Sequence, residues 1–550
     1  MKKYLRTGKL LIAPVILTAA MLVSGCGNSE NFVFTNTALP QPGLAPVAVN
    51  DAYPALGNAT ITQTAAGGVL ANDTLNGGNI SGFDATGSEG GTLALNADGS
   101  YSYTPAANFV GAETFTYTLS NAGGNSSATV TFTSTGKGIF VDNSTDATGD
   151  GSQADPFDTL AEGLAIATPG DTIVVLRGTG TSTGLSGAIA LPQGVDLIGE
   201  GTGVVLAQTV LPAGQPPVIT GPVNCGGDNV ISGFVIDGSA GAGIVIPSVG
   251  DVTISNNTIS DPTLGHILGV DVTGTVTISD NTLTGPPNAV DFINIENTSV
   301  NATLSVTGNV FTNDAMAAVG DVCEVVTLGT SVVNTTFSGN IASAATTNFN
   351  FGFVSNCTAT STQAVTVTDN QFRGFTQPAI LLATTSDLSL ASGTISGNSI
   401  TAPFQTGISV QPSGGTTRIS GNTLSGASVV GVSLQTQDSD STIIVENNTI
   451  TDTLFDGLSF FDSDTGNYLV ALRNNQITNS GTNAVNVNWA GANSLCMEFT
   501  GNNFNDLLTL NNSGAGTFNV EDLSNLDTIN DLNSIAPMLT NITEASCNIP

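Results

Sequence analysis

The chain has 550 residues and a formal net charge of −34; 40% of its residues are hydrophobic and only 9% are charged. This apolar content excludes wholesale disorder, and abundant Gly, Asn, Ser and Thr without long amphipathic helical patterns predict an all-β protein with many short strands. Nine Lys and Arg residues against 43 Asp and Glu residues exclude nucleic acid as a partner, because such a surface cannot neutralise phosphate groups.

The first 26 residues have the pattern of an export signal. Basic residues precede the apolar stretch 10–22, which is short for a membrane-spanning helix of about 20 residues. The stretch leads into VSGC at residues 23–26, and the whole segment closely resembles a bacterial lipoprotein signal peptide with its lipobox. The resemblance implies cleavage before Cys26, lipid attachment to Cys26 and a location in the cell envelope, at the outer membrane or cell surface. An ordinary secretory signal is the alternative.

A tether and a small domain follow the signal. Residues 27–45 are polar and without periodicity, which predicts a flexible tether. Within residues 46–134, alternating segments such as SYSYT and TFTYTL and the turn NADGS predict an antiparallel β-sandwich. The segments VLANDT and GTLALNADGSYSYTP strongly resemble the cadherin-like, immunoglobulin-like repeat of bacterial surface proteins and adhesins.

That resemblance implies calcium at acidic loop positions, which here are Asp51, Asp73 and Asp98. Asp is also an ordinary turn-forming residue, so a purely structural role for these three side chains is the alternative.

A single short helix is predicted after residue 138. Thr159 and Glu162 form a capping-box pattern, and Pro169 with Gly170 ends the segment. The segment resembles the start of right-handed parallel β-helix proteins, in which a helix covers the first coil. Such a cap is needed because the first coil otherwise exposes apolar interior and unpaired strand edges.

A repeat built around one Asn fills the rest of the chain, as in TISNNTIS, TISDNTLTG and RISGNTLSG. The Asn recurs every 24 to 31 positions, which predicts stacked coils with the Asn at a tight corner between two strands of each coil. Because coils stack about 4.8 Å apart, we expect the amides to form a hydrogen-bonded ladder, with the apolar residue two positions later pointing inward. The ladder residues are Asn257, Asn281, Asn309, Asn370, Asn398, Asn422, Asn448, Asn475 and Asn502, with Asn340 in a degenerate copy whose apolar residue comes one place early.

Together with three earlier, less regular coils, these copies predict a right-handed parallel β-helix of about 13 coils over residues 138–530, roughly 60 Å long. Residues 531–550 are predicted to fold over the last coil as a cap. The pattern resembles the pectin-lyase-like superfamily, which contains polysaccharide lyases, galacturonases, esterases and noncatalytic surface proteins. The fold alone does not decide between these activities.

Five cysteines remain after Cys26. Export makes disulfides plausible, and we expect the pairs Cys323–Cys357 and Cys496–Cys547, which leaves Cys225 unpaired. The chain has no Cys-x-x-Cys spacing and a single histidine, His266, so we expect neither a zinc site nor a nucleotide cofactor. We expect His266 in a surface loop.

Four carboxylates form a candidate ligand site. Asp438 and Asp440 recur 24 positions later (462 − 438 = 464 − 440 = 24) as Asp462 and Asp464, so stacked coils would bring them within about 5–8 Å of one another. Such oxygen clusters suit calcium. Nearby Phe461 and Trp489 could add a sugar-stacking face. The alternatives are solvated loops or a general acid/base pair.

The function predicted from these residues is an exported, lipid-anchored surface protein that binds a polysaccharide or another surface protein without catalysis. Basic residues are scarce, and GHI (265–267) and RIS (418–420) are only fragments of galacturonase motifs. The alternative is a polysaccharide lyase or glycoside hydrolase that uses the acidic face. A third possibility is a purely structural envelope component.

Overall fold

The computed structural model describes residues 43–145, 149–206, 209–238, 241–285, 291–313, 320–344, 349–358, 360–384, 390–403, 405–411, 414–427, 429–435, 439–462, 466–526, 530 and 538–550. The predicted signal segment with Cys26, residues 27–42 of the predicted tether and residues 531–537 of the predicted C-terminal cap lie outside this part. Within it, no helix has the length and apolar character needed to cross a bilayer.

The N-terminal domain consists of two small sheets. One contains the strands Asp51–Gly57, Asn79–Phe83, Gly111–Asn121 and Gly124–Val141, and the other contains Ile61–Gln63, Thr92–Leu95 and Tyr101–Thr104, with a 3-10 turn at Ala65–Gly67. Aromatic residues fill the space between them, and Tyr103 stacks on Phe132 with ring centroids 4.0 Å apart. The pairing is antiparallel as predicted, except that Asp51–Gly57 runs parallel to Gly124–Val141.

One strand connects this domain to the rest of the chain. Gly124–Val141 is 18 residues long; its first part pairs within the N-terminal domain, and its last four residues pair in parallel with Thr172–Val175. The predicted boundary at residues 134–138 is therefore a continuous strand and not a linker. Lys137 lies at this junction, and its Nζ is 2.6 Å from Oδ2 of Asp171.

A single helix, Leu160–Ile166, covers the first coil. The predicted capping box is present, since the Thr159 hydroxyl accepts from the Glu162 backbone N–H and the Glu162 carboxylate accepts from the Thr159 backbone N–H. A Cβ at Gly163 would lie 3.2–3.7 Å from methyl groups of Val141, Ile139 and Ile173. The helix therefore packs directly on the apolar end of the coil stack, as a cap requires.

Three parallel sheets form the sides of the coil stack, and we name them by the order in which the repeat visits them. Sheet A precedes the ladder Asn and contains Thr172–Val175, Asp196–Gly199, Asn229–Ser232, Gly250–Ser255, Thr273–Ser279, Ala302–Thr307, Val332–Ser338, Thr362–Thr368, Leu390–Ser396, Thr416–Ser420, Ser441–Glu446, Tyr468–Arg473, Ser494–Thr500, Thr517–Val520 and Thr543–Glu544. Sheet B follows the Asn and contains Val218–Ile219, Val235–Asp237, Thr258–Ser260, Thr282–Thr284, Val310–Asn313, Ile341–Ala344, Gln371–Phe375, Ser399–Pro403, Thr423–Ser425, Thr449–Thr451, Gln476–Thr478 and Asn503–Phe504.

Sheet C completes each coil and contains Ile189–Ala190, Val223–Asn224, Ile244–Pro247, Ile267–Val270, Ile293–Asn297, Cys323–Thr327, Phe353–Cys357, Ile380–Thr384, Thr406–Val410, Val430–Gln435, Leu458–Asp462, Asn483–Trp489, Leu507–Asn512 and Met538–Thr540. The remaining elements are the antiparallel pair Val204–Leu206 and Thr209–Leu211 and the 3-10 turns Glu200–Thr202 and Leu523–Asn525. Within the described residues sheet B has 12 strands and sheet C has 14. The predicted all-β solenoid is therefore confirmed, and its size is close to the roughly 13 coils expected.

The asparagines form the predicted ladder. Each side-chain nitrogen (Nδ2) donates to Oδ1 of the Asn in the next coil at 2.7–3.1 Å, and the same Oδ1 accepts from the backbone N–H of the preceding Asn at 2.9–3.1 Å. Each Nδ2 also donates to a backbone carbonyl one coil earlier, such as that of Ile278 for Asn309. The ladder extends one coil beyond the prediction, to Asn530.

The residue before each ladder Asn from Asn257 to Asn502 has a left-handed backbone. Its φ lies between +53° and +67° at Asn256, Asp280, Gly308, Gly339, Asp369, Gly397, Gly421, Asn447, Asn474 and Gly501. Only Gly, Asn and Asp adopt this conformation at low cost, which explains why the repeat alternates among these three residue types at this position.

Two positions after each Asn, the side chain points into the core, as Ile259, Leu283 and Phe311 do with 0% exposure. The copy at Asn340 keeps this register and is not shifted: Ala342 is the inward residue, while Ile341 points outward with 39% exposure.

The cysteines differ in part from the prediction. Cys496 and Cys547 form a disulfide with Cα atoms 5.5 Å apart, which holds the C-terminal segment on the last coils. The predicted bond between Cys323 and Cys357 is wrong, and both residues are buried free cysteines, like Cys225. The register pairs Cys323 with Phe353 and Cys357 with Thr327, so the two sulfurs lie four strand positions apart, roughly 13 Å at the strand rise.

Candidate functional site

The outer face of sheet C presents mainly polar side chains. In the strand Leu458–Asp462, Leu458 and Phe460 are buried in the core with 0% exposure. Because side chains alternate along a strand, Ser459 and Phe461 point outward. The same alternation of inward and outward side chains holds in the neighbouring strands, but the outward Ser409, Ser433 and Ser459 are buried. The face reaches solvent at Gln435 and Phe461 and in part at Asn486, Asn488 and Asn511.

The parallel register stacks these outward residues in two rows. The first row contains Ser409, Ser433, Ser459, Asn486 and Thr509, and the second contains Gln435, Phe461, Asn488 and Asn511. Hydrogen bonds between coils support the second row: Gln411 Nε2 donates to Gln435 Oε1 at 2.8 Å, and Asn511 Nδ2 donates to Asn488 Oδ1 at 2.9 Å. The second row therefore offers amide groups and the Phe461 ring at a regular spacing of about 4.8 Å, whereas the three serines of the first row are buried.

Basic residues lie elsewhere on the molecule. The five that follow residue 42 are Lys137, Arg177, Arg373, Arg418 and Arg473, and none belongs to a strand of sheet C. Two of them are paired with carboxylates on sheet A, Arg418 with Glu446 and Arg473 with Glu498. Sheet C therefore has no positive charge with which to attract an anionic sugar.

The predicted acidic site is described only in part. Asp438, Asp464 and the side chain of Asp462 lie outside the described residues. Oδ1 of Asp440 accepts from the backbone N–H of Asn467 at 2.8 Å and from its Nδ2 at 2.9 Å. Asp440 thus joins one coil to the next, which gives it a structural role, and calcium binding by the four carboxylates stays a prediction.

Of the two predicted sugar-stacking rings, only one is exposed. Phe461 has 42% of its side chain exposed. The prediction for Trp489 is wrong: its ring is fully buried and lies between Phe460 and Tyr468, with centroid distances of 6.4 and 6.0 Å. Trp489 continues the inward positions of Val485 and Val487.

Three carboxylates that the sequence analysis did not single out converge at the start of sheet C. Oxygen atoms of Asp291, Asp321 and Glu324 lie within 4.8 Å of one another. Asp291 and Asp321 precede successive strands, and Oδ1 of Asp291 accepts from the Asp321 backbone N–H at 2.8 Å. Glu324 points outward from the second of these strands, opposite Asn294.

Amide side chains surround this cluster. Asn294 Nδ2 lies 2.7 Å from Oδ2 of Asp291 and 3.2 Å from Oε2 of Glu324. Asn356 donates to Oε1 of Glu324 at 2.8 Å. These donors lower the cost of placing the carboxylates together but supply no positive charge.

Burial and proximity shift the acidity of the cluster. Burial, together with the negative charge of Asp291, raises the pKa of Asp321 to about 7. The same two causes raise the pKa of Glu324. Near neutral pH the cluster therefore retains a proton or attracts a cation, because its charges repel one another. Its oxygen-only composition is of the kind that suits calcium.

The sequence did contain a signal for this cluster. Asp291 and Asp321 are 30 positions apart, and the ladder residues Asn309 and Asn340 in the same coils are 31 apart. Alignment of the Asp residues to the Asn repeat would have placed them in adjacent coils. The position of Glu324 in the cluster depends on the strand register, which the Asn repeat alone does not show.

A second buried carboxylate supports the outer face of sheet C further along the axis. Asp456 is 6% exposed, and its oxygens accept from the Thr482 hydroxyl at 2.5 Å, from Asn483 Nδ2 at 2.7 Å and from Asn486 Nδ2 at 2.9 Å. These hydrogen bonds satisfy the carboxylate and fix the orientation of the Asn486 amide.

His266 is not the surface residue that the sequence predicted. It is fully buried, its ring stacks on Phe292 with centroids 4.3 Å apart, and its Nε2 lies 3.0 Å from the Thr284 carbonyl oxygen. Burial lowers its pKa to about 4. His266 is therefore a neutral core residue.

The acidic loop residues of the N-terminal domain act as hydrogen-bond acceptors. Asp73 accepts from the Val49 backbone N–H at 2.7 Å and from the Tyr117 hydroxyl at 2.8 Å, and Asp98 accepts from Ser100 within a turn. Asp51 is nearly buried, and burial, reinforced by the charge of Asp73, raises its pKa to about 6. Calcium binding here stays a prediction.

Family comparisons agree with this architecture. Residues 44–136 match the family described as the bacterial cadherin-like domain, and residues 266–450 and 353–532 match the right-handed beta helix region. The chain therefore combines a bacterial cadherin-like domain with a right-handed β-helix, and its solenoid is consistent with a pectin-lyase-like fold. No curated protein sequence matches it significantly.

Solved structures with similar coordinates include two glycoside hydrolases. The family 28 exopolygalacturonase of Yersinia enterocolitica is 12% identical, with coverage of 82% of this chain and 86% of that chain and a TM-score of 0.37. The catalytic unit of the GH87 α-1,3-glucanase from Streptomyces thermodiastaticus strain HF3-3 is 15% identical, with coverage of 92% and 89% and a TM-score of 0.30. At these values neither match bears on the activity or substrate of this chain.

Proposed function

We propose that this protein is exported, is held at the cell envelope by a lipid on Cys26, and binds a glycan through the outer face of sheet C without catalysis. The observation that carries the proposal is the regular stack of Gln and Asn side chains around the exposed ring of Phe461, on a sheet whose strands contain no basic residue. Ligand sites commonly combine aromatic surface with a few placed polar groups. A glycan, whose hydroxyls alternate with apolar ring faces, fits that combination.

Calcium is part of this proposal only at the acidic edge formed by Asp438, Asp440, Asp462 and Asp464. A cation there would bridge the protein to a ligand oxygen. The bonds from Asn467 to Asp440 compete with that role.

A glycan array probed with the protein lacking residues 1–26, with and without EDTA, tests the binding function. We expect capture of a glycan without release of a product. EDTA abolishes capture if the acidic edge holds a bridging cation, and leaves it intact if the amide and hydroxyl rows suffice. Absence of any captured glycan would contradict the proposal.

Labelled palmitate tests the anchoring. In a bacterial host the full chain is expected to incorporate the label, and Cys26→Ser is expected to abolish incorporation and release the protein from membranes. Incorporation by the Cys26→Ser variant would contradict the role of Cys26.

A second candidate function, glycoside hydrolysis, is favoured by one observation: Asp321 has a pKa of about 7 beside a carboxylate neighbour, which is the arrangement of an acid and a base. Reducing-sugar release from captured glycans, measured between pH 4 and 8, tests it. Hydrolysis at this cluster requires that Asp321→Asn abolish release, while Asp261→Asn, at an exposed turn, serves as the matched control. Release that survives Asp321→Asn excludes the cluster as its source.

A further inference from the structure

Two exposed aromatic rings belong to one coil of the β-helix. Phe455 precedes the strand Leu458–Asp462 and is 46% exposed, and Phe461 near the end of that strand is 42% exposed. The two positions are six residues apart in sequence, so their Cα atoms lie at most about 20 Å apart. Both rings can therefore contact the same short oligosaccharide.

Between these rings lies a hydroxyl without a protein partner. Ser459 points outward from the strand, and its Oγ is buried without a hydrogen bond within the described part of the chain. Its row neighbours are Ser433 and Asn486. A buried hydroxyl without a partner is unfavourable, but Ser459 is 0% exposed, so the group of this row that a ligand reaches is the half-buried amide of Asn486.

The exposed apolar surface beside Phe455 extends over two coils. The backbone N–H of Phe455 donates to the Val429 carbonyl at 3.0 Å, so these residues are neighbours on the same edge, and Val429 and Leu454 are also exposed. Exposed apolar residues that adjoin one another commonly mark a binding surface. Here the exposed apolar residues lie beside the polar side chains of sheet C.

The charge of the protein around Phe455 and Phe461 restricts the kind of ligand that can bind there. Asp456, the nearby carboxylate, is nearly buried and accepts three hydrogen bonds from neighbouring side chains, so it is already satisfied. No strand of sheet C contains Lys or Arg, and the chain as a whole has a net charge of −34. An anionic sugar would therefore be repelled, whereas an uncharged one would not.

We infer that Phe455, Phe461 and Asn486 form a subsite for uncharged pyranose units of a glycan that crosses sheet C along the direction of the strand Leu458–Asp462. The inference rests on the proposed glycan-binding function and narrows it to neutral sugars at this position. The phenyl rings pack against the apolar faces of the sugar rings. Asn486, whose amide Asp456 holds in one orientation, binds a sugar hydroxyl.

The test is isothermal titration of the protein lacking residues 1–26 with neutral hexasaccharides of glucose, mannose and xylose, and with oligogalacturonate as the anionic probe. We expect at least one neutral hexasaccharide to bind, and oligogalacturonate not to bind. Phe455→Ala and Phe461→Ala each weaken binding at least tenfold, and Phe461→Tyr retains it. Both rings are exposed, so these variants are expected to melt like the parent protein.

Phe83→Ala is the matched control, because Phe83 is an exposed ring (39%) in the N-terminal domain; it leaves the affinity unchanged. Neutral binding that survives both alanine variants overturns the subsite and leaves the proposed function standing. Binding of oligogalacturonate alone overturns the ligand class. Failure of every hexasaccharide overturns the inference, and failure of the glycan array as well overturns the proposed function with it.

Discussion

The ladder Asn is stabilising because every polar atom of its side chain has a partner away from water. Oδ1 of Asn309, for example, accepts from both the backbone N–H and the Nδ2 of Asn281, while its own Nδ2 donates to the carbonyl of Ile278 and to Oδ1 of Asn340. Loss of one such side chain leaves buried groups unpaired, which costs more than the hydrogen bond itself contributes. The same pattern of hydrogen bonds holds the corner between sheet A and sheet B in each coil of the ladder.

The residue before each ladder Asn provides a test of backbone strain. Gly421 has φ of +63°, and a Cβ there would meet nothing closer than 4.0 Å, so a substitution adds strain without a clash. We expect Gly421→Ala to lower the free energy of unfolding by about 1–2 kcal/mol. Gly421→Asn should cost less, since Asn447 occupies the equivalent position at φ +56°. Chemical denaturation measures both, and equal losses would contradict the left-handed requirement.

The raised pKa of Asp321 predicts a dependence of stability on pH. Its folded pKa of about 7 lies above the ordinary value of 3.8, so its contribution is complete below pH 4 and is lost as the pH rises through 7. In the presence of a chelator, the parent protein should lose more stability between pH 4 and 8 than Asp321→Asn does. Thermal melting across this range is the measurement. An identical loss in the parent and the variant would show that Asp321 does not titrate there.

At the scale of elements, the junction strand makes the cadherin-like domain and the β-helix continuous. Gly124–Val141 belongs to both, and a cluster containing Ala59, Phe140, Val174 and Val204 packs across the junction. The N-terminal domain and the β-helix therefore share a strand and an apolar cluster, where the sequence suggested two units joined by a short gap.

The pair Lys137–Asp171 is expected to stabilise this junction. Lys137 is 11% exposed and Asp171 2% exposed at their side chains, so removal of the cation leaves a buried carboxylate unpaired. Lys137→Met should cost about 3 kcal/mol at pH 7. The control is Arg373→Met, which removes an exposed positive charge and should cost little.

The pH dependence of that pair has a definite sign. Burial would raise the pKa of Asp171, but hydrogen bonds from Lys137 and Thr168 outweigh it and lower the pKa below the ordinary 3.8. The stabilisation is present above pH 4 and is lost as the pH falls through the folded pKa. The difference between the parent and Lys137→Met, measured by urea unfolding, should therefore shrink in acid. A difference that stays constant down to pH 2 would contradict the ion pair.

For the whole molecule, repetition determined what could be predicted from the sequence. The ladder and the cap helix follow from patterns that recur or have a standard turn chemistry. Asn530 was missed because Ile529 precedes it in place of Gly, Asn or Asp, although it follows Asn502 by 28 positions. The inward direction of Trp489 was available from its alternation with Val485 and Val487.

The cysteine pairing and the carboxylate cluster were harder to predict because they depend on the strand register between neighbouring coils. Cys323 and Cys357 belong to neighbouring strands but to different positions along them, and sequence spacing does not show that offset. The convergence of Asp291, Asp321 and Glu324 joins two turn residues with one strand residue, and no single repeat position contains all three.

Hydroxyl-radical footprinting of the protein, free and with a bound neutral glycan from the array, tests whether sheet C binds the glycan, because it reports the exposure of individual side chains. We expect that Phe455 and Phe461, both exposed in the free protein, are protected by the glycan, while Phe83 on the N-terminal domain is modified equally in both states. Protection of Phe83 with unchanged modification of Phe455 and Phe461 would contradict it and would move the binding surface away from sheet C.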